Sequence, residues 1–210
     1  MVEGSPAPKM STTTIGEKAL LADPAPLGLA GFAFTTFLLS FQNAGILAAS
    51  TAQIVMPLAF AYGGFAQLAT GMFEMRKGNT FGFTAFTSYG CFWMFYALVV
   101  LFASLNIITI PAAALGTALI LWGFFTLYMW IPATTANLTI NLTFLFLWLA
   151  FFFLGAGALM NNMTITHVGG YLGFLTAFFA SYTSFAAVTN SVVGPGTIPV
   201  GPGIKWKKQP

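Results

Sequence analysis

Long apolar stretches separated by short polar breaks dominate this 210-residue chain. An α-helix needs roughly 20 apolar residues to cross the hydrocarbon core of a bilayer. The chain supplies that length six times, near residues 27–48, 54–73, 81–105, 112–131, 141–160 and 166–189. The breaks between these stretches are rich in asparagine, proline and other residues that end helices. The pattern therefore predicts an all-α integral membrane protein with six transmembrane helices.

The composition indicates the same class of protein. Hydrophobic residues make up 58% of the chain and charged residues only 5%, against about 25% charged residues in soluble domains. Because so few polar side chains cannot cover a water-exposed surface, we expect lipid to surround most of the protein. The Lys and Arg residues are also too few to form a phosphate-binding stripe, which excludes nucleic acid as a partner.

All seven basic residues fall in the N-terminal tail, the loop after the second span or the C-terminal tail. They are Lys9, Lys18, Arg76, Lys77, Lys205, Lys207 and Lys208. Six spans place these three segments on one side of the membrane, which the positive-inside rule identifies as the cytoplasm. We therefore expect a multi-pass protein of the cell membrane with both termini in the cytoplasm.

Three regions follow from this layout. Residues 1–22 form a cytoplasmic tail with room for a short interfacial helix over residues 15–21. Residues 23–190 form the transmembrane domain, and residues 191–210 form a Gly/Pro-rich, basic cytoplasmic tail.

Polar residues that interrupt the spans are the candidate functional groups. Asp23, Pro24 and Pro26 form a helix-start motif, because an Asx side chain caps a helix and proline is tolerated in its first turn. Gln67 and Glu74 share one face of the second span. Two roles stay open for Glu74, which are proton coupling and pairing with the basic residues that follow it.

Hydroxyl and amide side chains recur at helical spacing and are candidates for lining a polar pathway. With Gln67 they are Thr35, Asn43, Asn79, Thr84 and Ser88. Hydrogen bonds between helices are the alternative explanation for these residues. The single histidine, His167, opens the sixth span, where an interfacial hydrogen-bonding role is favoured over proton coupling.

Common catalytic motifs are missing from the sequence. It has no paired intramembrane carboxylates, no His/Cys cluster, no G-x-S-x-G motif and no Walker loop. We therefore expect no enzymatic activity, no metal site and no cofactor. The only cysteine, Cys91, lies in an aromatic apolar stretch and is expected to be a buried, inert thiol.

Four longer motifs resemble those of a known family. They are Asp23-Pro24-Ala25-Pro26-Leu27-Gly28-Leu29, Tyr62-Gly63-Gly64 with Gln67, Gly78-Asn79-Thr80-Phe81-Gly82, and Thr84-Ala85-Phe86-Thr87-Ser88-Tyr89-Gly90 with Phe92-Trp93. They are similar to the acetate uptake transporters, also called succinate–acetate permeases, over about residues 23–190. The family usually has asparagine in place of Asp23, which bears on any role that requires a neutral amide there.

The resemblance implies a homohexamer of six-helix protomers, each with its own pathway narrowed by a Phe, a Tyr and a Leu. By motif these residues would be Phe32, Tyr89 and Leu147, the last placed by the pattern of the fifth span alone. The implied function is transport of acetate and similar small monocarboxylates, with succinate as a further candidate, either as an anion channel or with a coupled proton. The alternatives are an ammonium or other small-solute channel and, from another class, a membrane sensor or scaffold that binds acetate without moving it.

Overall fold

Six long helices form the protein, which a computed structural model describes over residues 22–206. They are α1 (Ala25–Asn43), α2 (Ala49–Lys77), α3 (Thr80–Ser104), α4 (Ala112–Ala133), α5 (Leu138–Leu159) and α6 (Met163–Val193). Each is long and apolar enough to cross a membrane, and all regular secondary structure in residues 22–206 is helical. The predicted all-α, six-span architecture is confirmed. The interfacial helix expected over residues 15–21 lies outside the described residues, as do Lys9, Lys18, Lys207 and Lys208.

Several helix ends differ from the predicted spans because of local capping. Helix α1 ends at Asn43 rather than at residue 48, since Gly45 adopts φ +73° and its N–H donates to the carbonyl of Gln42. Helix α6 begins at Met163 rather than at residue 166, since the Asn162 side chain accepts from the first backbone N–H groups. The same helix continues to Val193 rather than ending near residue 189.

Helix α2 changes its winding along its length. It contains Pro57, which lacks an N–H donor, and the following residues Ala59–Ala66 form a π-helix before regular α-helix resumes at Gln67. Gly63 lies inside this π segment, and a Cβ there would come within 2.8 Å of the Trp93 ring. The wider turn therefore packs directly on α3.

The helices form a nearly closed ring around an interior space. Helix α5 packs between α4 and α6, α6 packs on α1, α1 on α2, and α2 on α3. Helices α3 and α4 make few close backbone contacts and meet mainly through aromatic rings, including Tyr89 with Phe125 at 5.4 Å and Phe92 with Trp122 at 5.1 Å between centroids. Large side chains therefore fill the gap between these two helices.

The alternating helix directions give the bundle two ends. The tail end carries the start of α1, the α2–α3 turn, the α4–α5 turn and the segment after Val193, whereas the loop end carries residues 44–48, 105–111 and 160–162. The basic residues of the described chain, Arg76, Lys77 and Lys205, all belong to the tail end, as six spans require. Which side of the membrane the tail end faces stays a prediction.

The outer surface of the bundle is apolar. Large hydrophobic side chains such as Phe34, Phe65 and Leu121 are about two-thirds exposed, at 60%, 67% and 64%. This surface suits a lipid environment, which agrees with a multi-pass membrane protein. The thiol of Cys91 is also exposed, so the expectation of a buried cysteine was wrong. In a lipid-facing helix an apolar neighbourhood in sequence does not imply burial.

Candidate functional site

Two cavities lie in line inside the bundle. The loop-end cavity has a volume of about 230 Å³ and extends from Phe32 and Leu147 to Asn43 and Thr166. The tail-end cavity is smaller, about 50 Å³, and extends from the same Phe32 and Leu147 to Gly82 and other residues of the tail end. Because Phe32 and Leu147 line both cavities, these two side chains stand between them.

Tyr89 completes this boundary from α3. It lines the tail-end cavity, and its ring centroid lies 5.8 Å from that of Phe32. Phe32, Tyr89 and Leu147 are all buried, with exposures of 6%, 3% and 6%. The structure thus brings together on three helices the three residues that the family resemblance singled out, and we call this group the waist. That the waist limits passage stays a prediction.

The phenol of Tyr89 is held in one orientation by α4. Its hydroxyl donates to Thr126 Oγ1 at 3.0 Å, and the Thr126 hydroxyl donates in turn to the carbonyl of Trp122 at 2.7 Å. Because the single phenolic proton is used in this way, the phenol oxygen is left as an acceptor toward any ligand at the waist. Thr126 did not appear among the sequence candidates, since a lone threonine in an apolar helix gives no signal of its own.

Polar side chains of the tail-end cavity come from α2 and α5. Gln67, a sequence candidate, lines this cavity and is 1% exposed, and its Oε1 has no hydrogen-bond partner in the described chain. Thr143 also lines it and donates to the carbonyl of Thr139 at 2.8 Å. An orphaned buried amide oxygen is costly in an apolar interior, so Gln67 is a group that a passing donor would satisfy.

The loop-end cavity has a polar edge on α1. Thr36, Ser40 and Asn43 line it at spacings of four and three residues, which place them on one helical face. Of these three, only Asn43 was a sequence candidate, although the helical period would have found the others. Aromatic residues such as Trp93 and Tyr96 line the remaining wall together with aliphatic side chains.

Four predicted pathway residues lie outside the linings of these two cavities. Thr35 is fully buried and donates to the carbonyl of Gly31 at 2.8 Å, while Thr84 and Ser88 are half-buried on α3. Asn79 caps α3, since its Oδ1 accepts from the Gly82 N–H at 3.1 Å. Thr35 therefore bonds within its own helix rather than between helices, whereas Asn79 also bonds Glu74 of α2 through its Nδ2.

Charged groups form a small network at the tail end. Glu74 is fully buried, accepts from Asn79 Nδ2 at 2.7 Å, and lies 3.5 Å from Lys77 Nζ. Lys77 also contacts Asp23 at 2.7 Å, and Asp23 accepts from the Ala25 N–H at 3.3 Å. Glu74 thus has the ion-pair partner that one interpretation required, and its proton-coupling role stays a prediction.

The helix-start motif has a slightly different register from the expected one. Helix α1 begins at Ala25 with Pro24 as its N-cap residue and Pro26 inside the first turn, rather than beginning at Pro24. The Asp23 carboxylate oxygen accepts a hydrogen bond from the Ala25 N–H, as in an Asx turn. The same carboxylate also lies 2.7 Å from Lys77 Nζ, so the acid has a charged partner where the family resemblance led us to expect an amide.

His167 lies apart from both cavity linings. It is half-buried at the start of α6, and its ring packs on Gly45, where an added Cβ would lie 2.6 Å from Nε2. Its position at the loop end agrees with an interfacial location. Among residues 22–206, no group of three or more His, Cys, Asp or Glu side chains has a geometry that could hold a metal ion.

Comparisons with known proteins identify the family of this chain. The chain matches the model of the GPR1/FUN34/yaaH family over residues 4–202. It is 39% identical over 182 residues to the succinate-acetate/proton symporter SatP of Escherichia coli, covering 86% of this chain and 96% of that protein. It is 40% identical over 200 residues to acetate permease A of Emericella nidulans, covering 88% of this chain and 67% of the permease.

A solved structure also resembles the bundle. The structure of the bacterial acetate channel SatP superposes with a TM-score of 0.83 at 38% identity, covering 86% of this chain and 99% of the channel. The family model spans nearly the whole sequence, and the relatives match over most of it. This chain belongs to the GPR1/FUN34/yaaH family.

Proposed function

We propose that this chain carries acetate and similar small monocarboxylates across the membrane, through a pathway that runs inside each protomer. The observation that carries the proposal is the pair of in-line cavities that share Phe32 and Leu147 as their common wall. The relatives named as a succinate-acetate symporter, an acetate permease and an acetate channel support the substrate class. Names of this kind also fit a protein without enzymatic activity.

The waist sets the charge state in which the substrate passes. Moving a bare carboxylate into a dry, low-dielectric passage costs on the order of 20 kcal/mol by the idealised Born value. Protonating an ordinary carboxyl first costs only about 4 kcal/mol at pH 7. The waist consists of a phenyl ring, a phenol and an isobutyl group, so passage as the neutral acid, or with a coupled proton, is the cheaper route. A wet waist lined by hydroxyl groups would instead favour an anion channel.

The hydrogen bonds of Tyr89 support the neutral-acid route. With its own proton donated to Thr126, the phenol oxygen of Tyr89 remains able to accept a hydrogen bond. A neutral acid carries an O–H that this oxygen can accept, whereas a carboxylate carries only acceptors. Gln67, on the tail side of the waist, is positioned to bond the same carboxyl group after it passes.

If proton movement is coupled to transport, Glu74 and His167 are the two candidates for the coupling residue. Glu74 is the only fully buried carboxylate among residues 22–206 and lies on the face of α2 that also carries Gln67. Acetate uptake should be measured against pH in Glu74→Gln and in His167→Ala. A changed pH dependence in one variant identifies the coupling residue, and an unchanged dependence in both removes both.

The proposal also covers the orientation of the protein in the membrane and its assembly into an oligomer. The tail end would face the cytoplasm, because the described basic residues belong to it. The homohexamer is supported by the family resemblance and by the extensive apolar exterior, part of which protomers would cover. To test the assembly, light scattering of the purified protein should give a mass of six copies. To test the orientation, an amine-labelling reagent that stays outside spheroplasts should leave Lys77 unmodified.

Purified protein in liposomes tests the function directly. Flux of labelled acetate above that of protein-free liposomes supports the proposal, ammonium flux without acetate flux supports the small-solute channel, and acetate binding without flux supports a sensor or scaffold. A matched pair of variants ties flux to the waist. Leu147→Phe should block acetate, whereas Leu119→Phe, which enlarges a side chain in the loop-end cavity alone, should retain most of the flux.

A further inference from the structure

The chain after α6 turns back and binds the tail end of the bundle. We call residues 194–206 the strap. Asn190 fixes its beginning with a reciprocal pair, since its Nδ2 donates to the Ile198 carbonyl at 3.0 Å and its Oδ1 accepts from the Ile198 N–H at 2.8 Å. Further along, the Val200 carbonyl accepts from the Thr139 N–H at 3.2 Å, at the start of α5. The strap is therefore docked on α5 and α6.

The end of the strap is held at the α4–α5 turn. The Ile204 N–H donates to the carbonyl of Thr134 at 2.7 Å, and Trp206 Nε1 donates to the hydroxyl oxygen of the same residue at 3.1 Å. A Cβ on Gly203 would collide with the Thr135 carbonyl, so the close approach requires glycine there. Helix α4 ends at Ala133, and the end of a membrane span lies at the headgroup region of the bilayer.

The held end presents apolar and basic groups outward. Ile204 and Trp206 are 54% and 61% exposed although both are anchored through their N–H groups, and Lys205 between them is exposed. Within residues 22–206 the two carboxylates, Asp23 and Glu74, both contact Lys77 rather than Lys205. The lysine charge is therefore not matched by a carboxylate of the described chain.

The sequence around the strap end is basic. Lys205, Lys207 and Lys208 fall within the run 205–208, the last two of them outside the described residues. Tryptophan favours the membrane–water interface, and lysines near it are attracted to anionic headgroups. A zwitterionic phosphocholine surface offers the aromatic ring the same environment but no net charge for the lysines.

We propose that the strap end, formed by Ile204, Lys205 and Trp206, is a binding surface for anionic phospholipid headgroups. Its hydrogen bonds to Thr134 hold it at headgroup depth, so the bound lipid links the strap to the α4–α5 turn. The proposal concerns a second partner of the protein and does not depend on what the bundle transports.

Native mass spectrometry of the full-length purified protein tests this directly. The protein in detergent is titrated with phosphatidylglycerol or with phosphatidylcholine, and bound lipids are counted at low and at high salt. Each lysine near an anionic surface contributes roughly a fivefold change in affinity. The variant Lys205→Gln should therefore lose phosphatidylglycerol affinity by roughly fivefold at low salt, while its phosphatidylcholine binding stays the same.

A matched control removes the same charge from the other tail. Lys18→Gln should keep phosphatidylglycerol binding close to that of the unmodified protein, and Trp206→Ser should weaken binding of both lipids. The proposal is overturned if the strap variant binds phosphatidylglycerol as the unmodified protein does, or if the control loses as much affinity as the strap variant. Equal affinity of the unmodified protein for the two lipids would also overturn it.

Discussion

Shortening Leu147 to alanine should change which acids the protein carries. Leu147 is 6% exposed and lines both cavities, so its isobutyl group is part of the wall between spaces of about 230 and 50 Å³. Removing that group joins the two spaces beside Phe32 and Tyr89. In a tight apolar site, accommodating one more methylene changes the transition-state free energy by about 1–3 kcal/mol, or about 10- to 200-fold in rate. We therefore expect the propionate-to-acetate and butyrate-to-acetate rate ratios to rise at least about 10-fold in Leu147→Ala.

The assay is uptake of labelled acids into liposomes at equal protein content. Leu29→Ala and Leu119→Ala are the matched controls, because Leu29 lines only the tail-end cavity of the two and Leu119 only the loop-end cavity. Loss of a buried leucine side chain costs about 2–5 kcal/mol of stability in soluble cores, so the size-exclusion profile of each variant should be recorded first. Rate ratios that stay at the unmodified values in folded Leu147→Ala, or that rise equally in both controls, would refute the assignment of the waist.

Three further tests, two of them with a matched control variant, address separate parts of the account. Tyr89→Phe removes the acceptor oxygen and should lower acetate flux about tenfold, the value of one hydrogen bond, whereas Thr126→Val leaves that oxygen in place and should keep more of the flux. Gly71→Ala should lower the melting temperature, because the new Cβ would lie 3.0 Å from the backbone nitrogen of the facing helix, and Gly123→Ala should cost less, because its neighbours are side-chain atoms at 3.1 Å. Asn162→Ala removes the N-cap of α6 and should cost about 1 kcal/mol in a chemical unfolding titration.

The span count, and the shared end of the bundle for the described basic residues, could be predicted because each depends on a local property of the chain. A membrane span needs a long apolar run, and the charge rule needs only the positions of the basic residues. The winding of α2 was not predictable in this way, because hydropathy is the same whether Ala59–Ala66 turn as an α-helix or a π-helix. The exposure of Cys91 shows a related limit, since lipid and protein interior are both apolar surroundings for a side chain.

The candidate site was predictable to the extent that motifs or helical periodicity marked its residues. Phe32 and Tyr89 stand in recognisable motifs, and Leu147 followed from the pattern of one helix. Thr126 and Thr143 carry no such mark, since their positions depend on how α4 and α5 pack around α3. Conversely, Thr35 and Asn79 have polar side chains at suggestive spacing, but the backbone groups and side chains nearest to them already use those atoms.

The central claim is that acetate passes between Phe32, Tyr89 and Leu147, and blocking that place in folded, active protein tests it most directly. Leu147→Cys and Leu119→Cys are each made with Cys91 replaced by serine, reconstituted, and assayed for acetate flux before and after a small methanethiosulfonate reagent. The account predicts that flux through Leu147→Cys falls to the level of protein-free liposomes, while Leu119→Cys keeps most of its flux. Full modification of the thiol at position 147, verified by mass spectrometry, with undiminished acetate flux would contradict it.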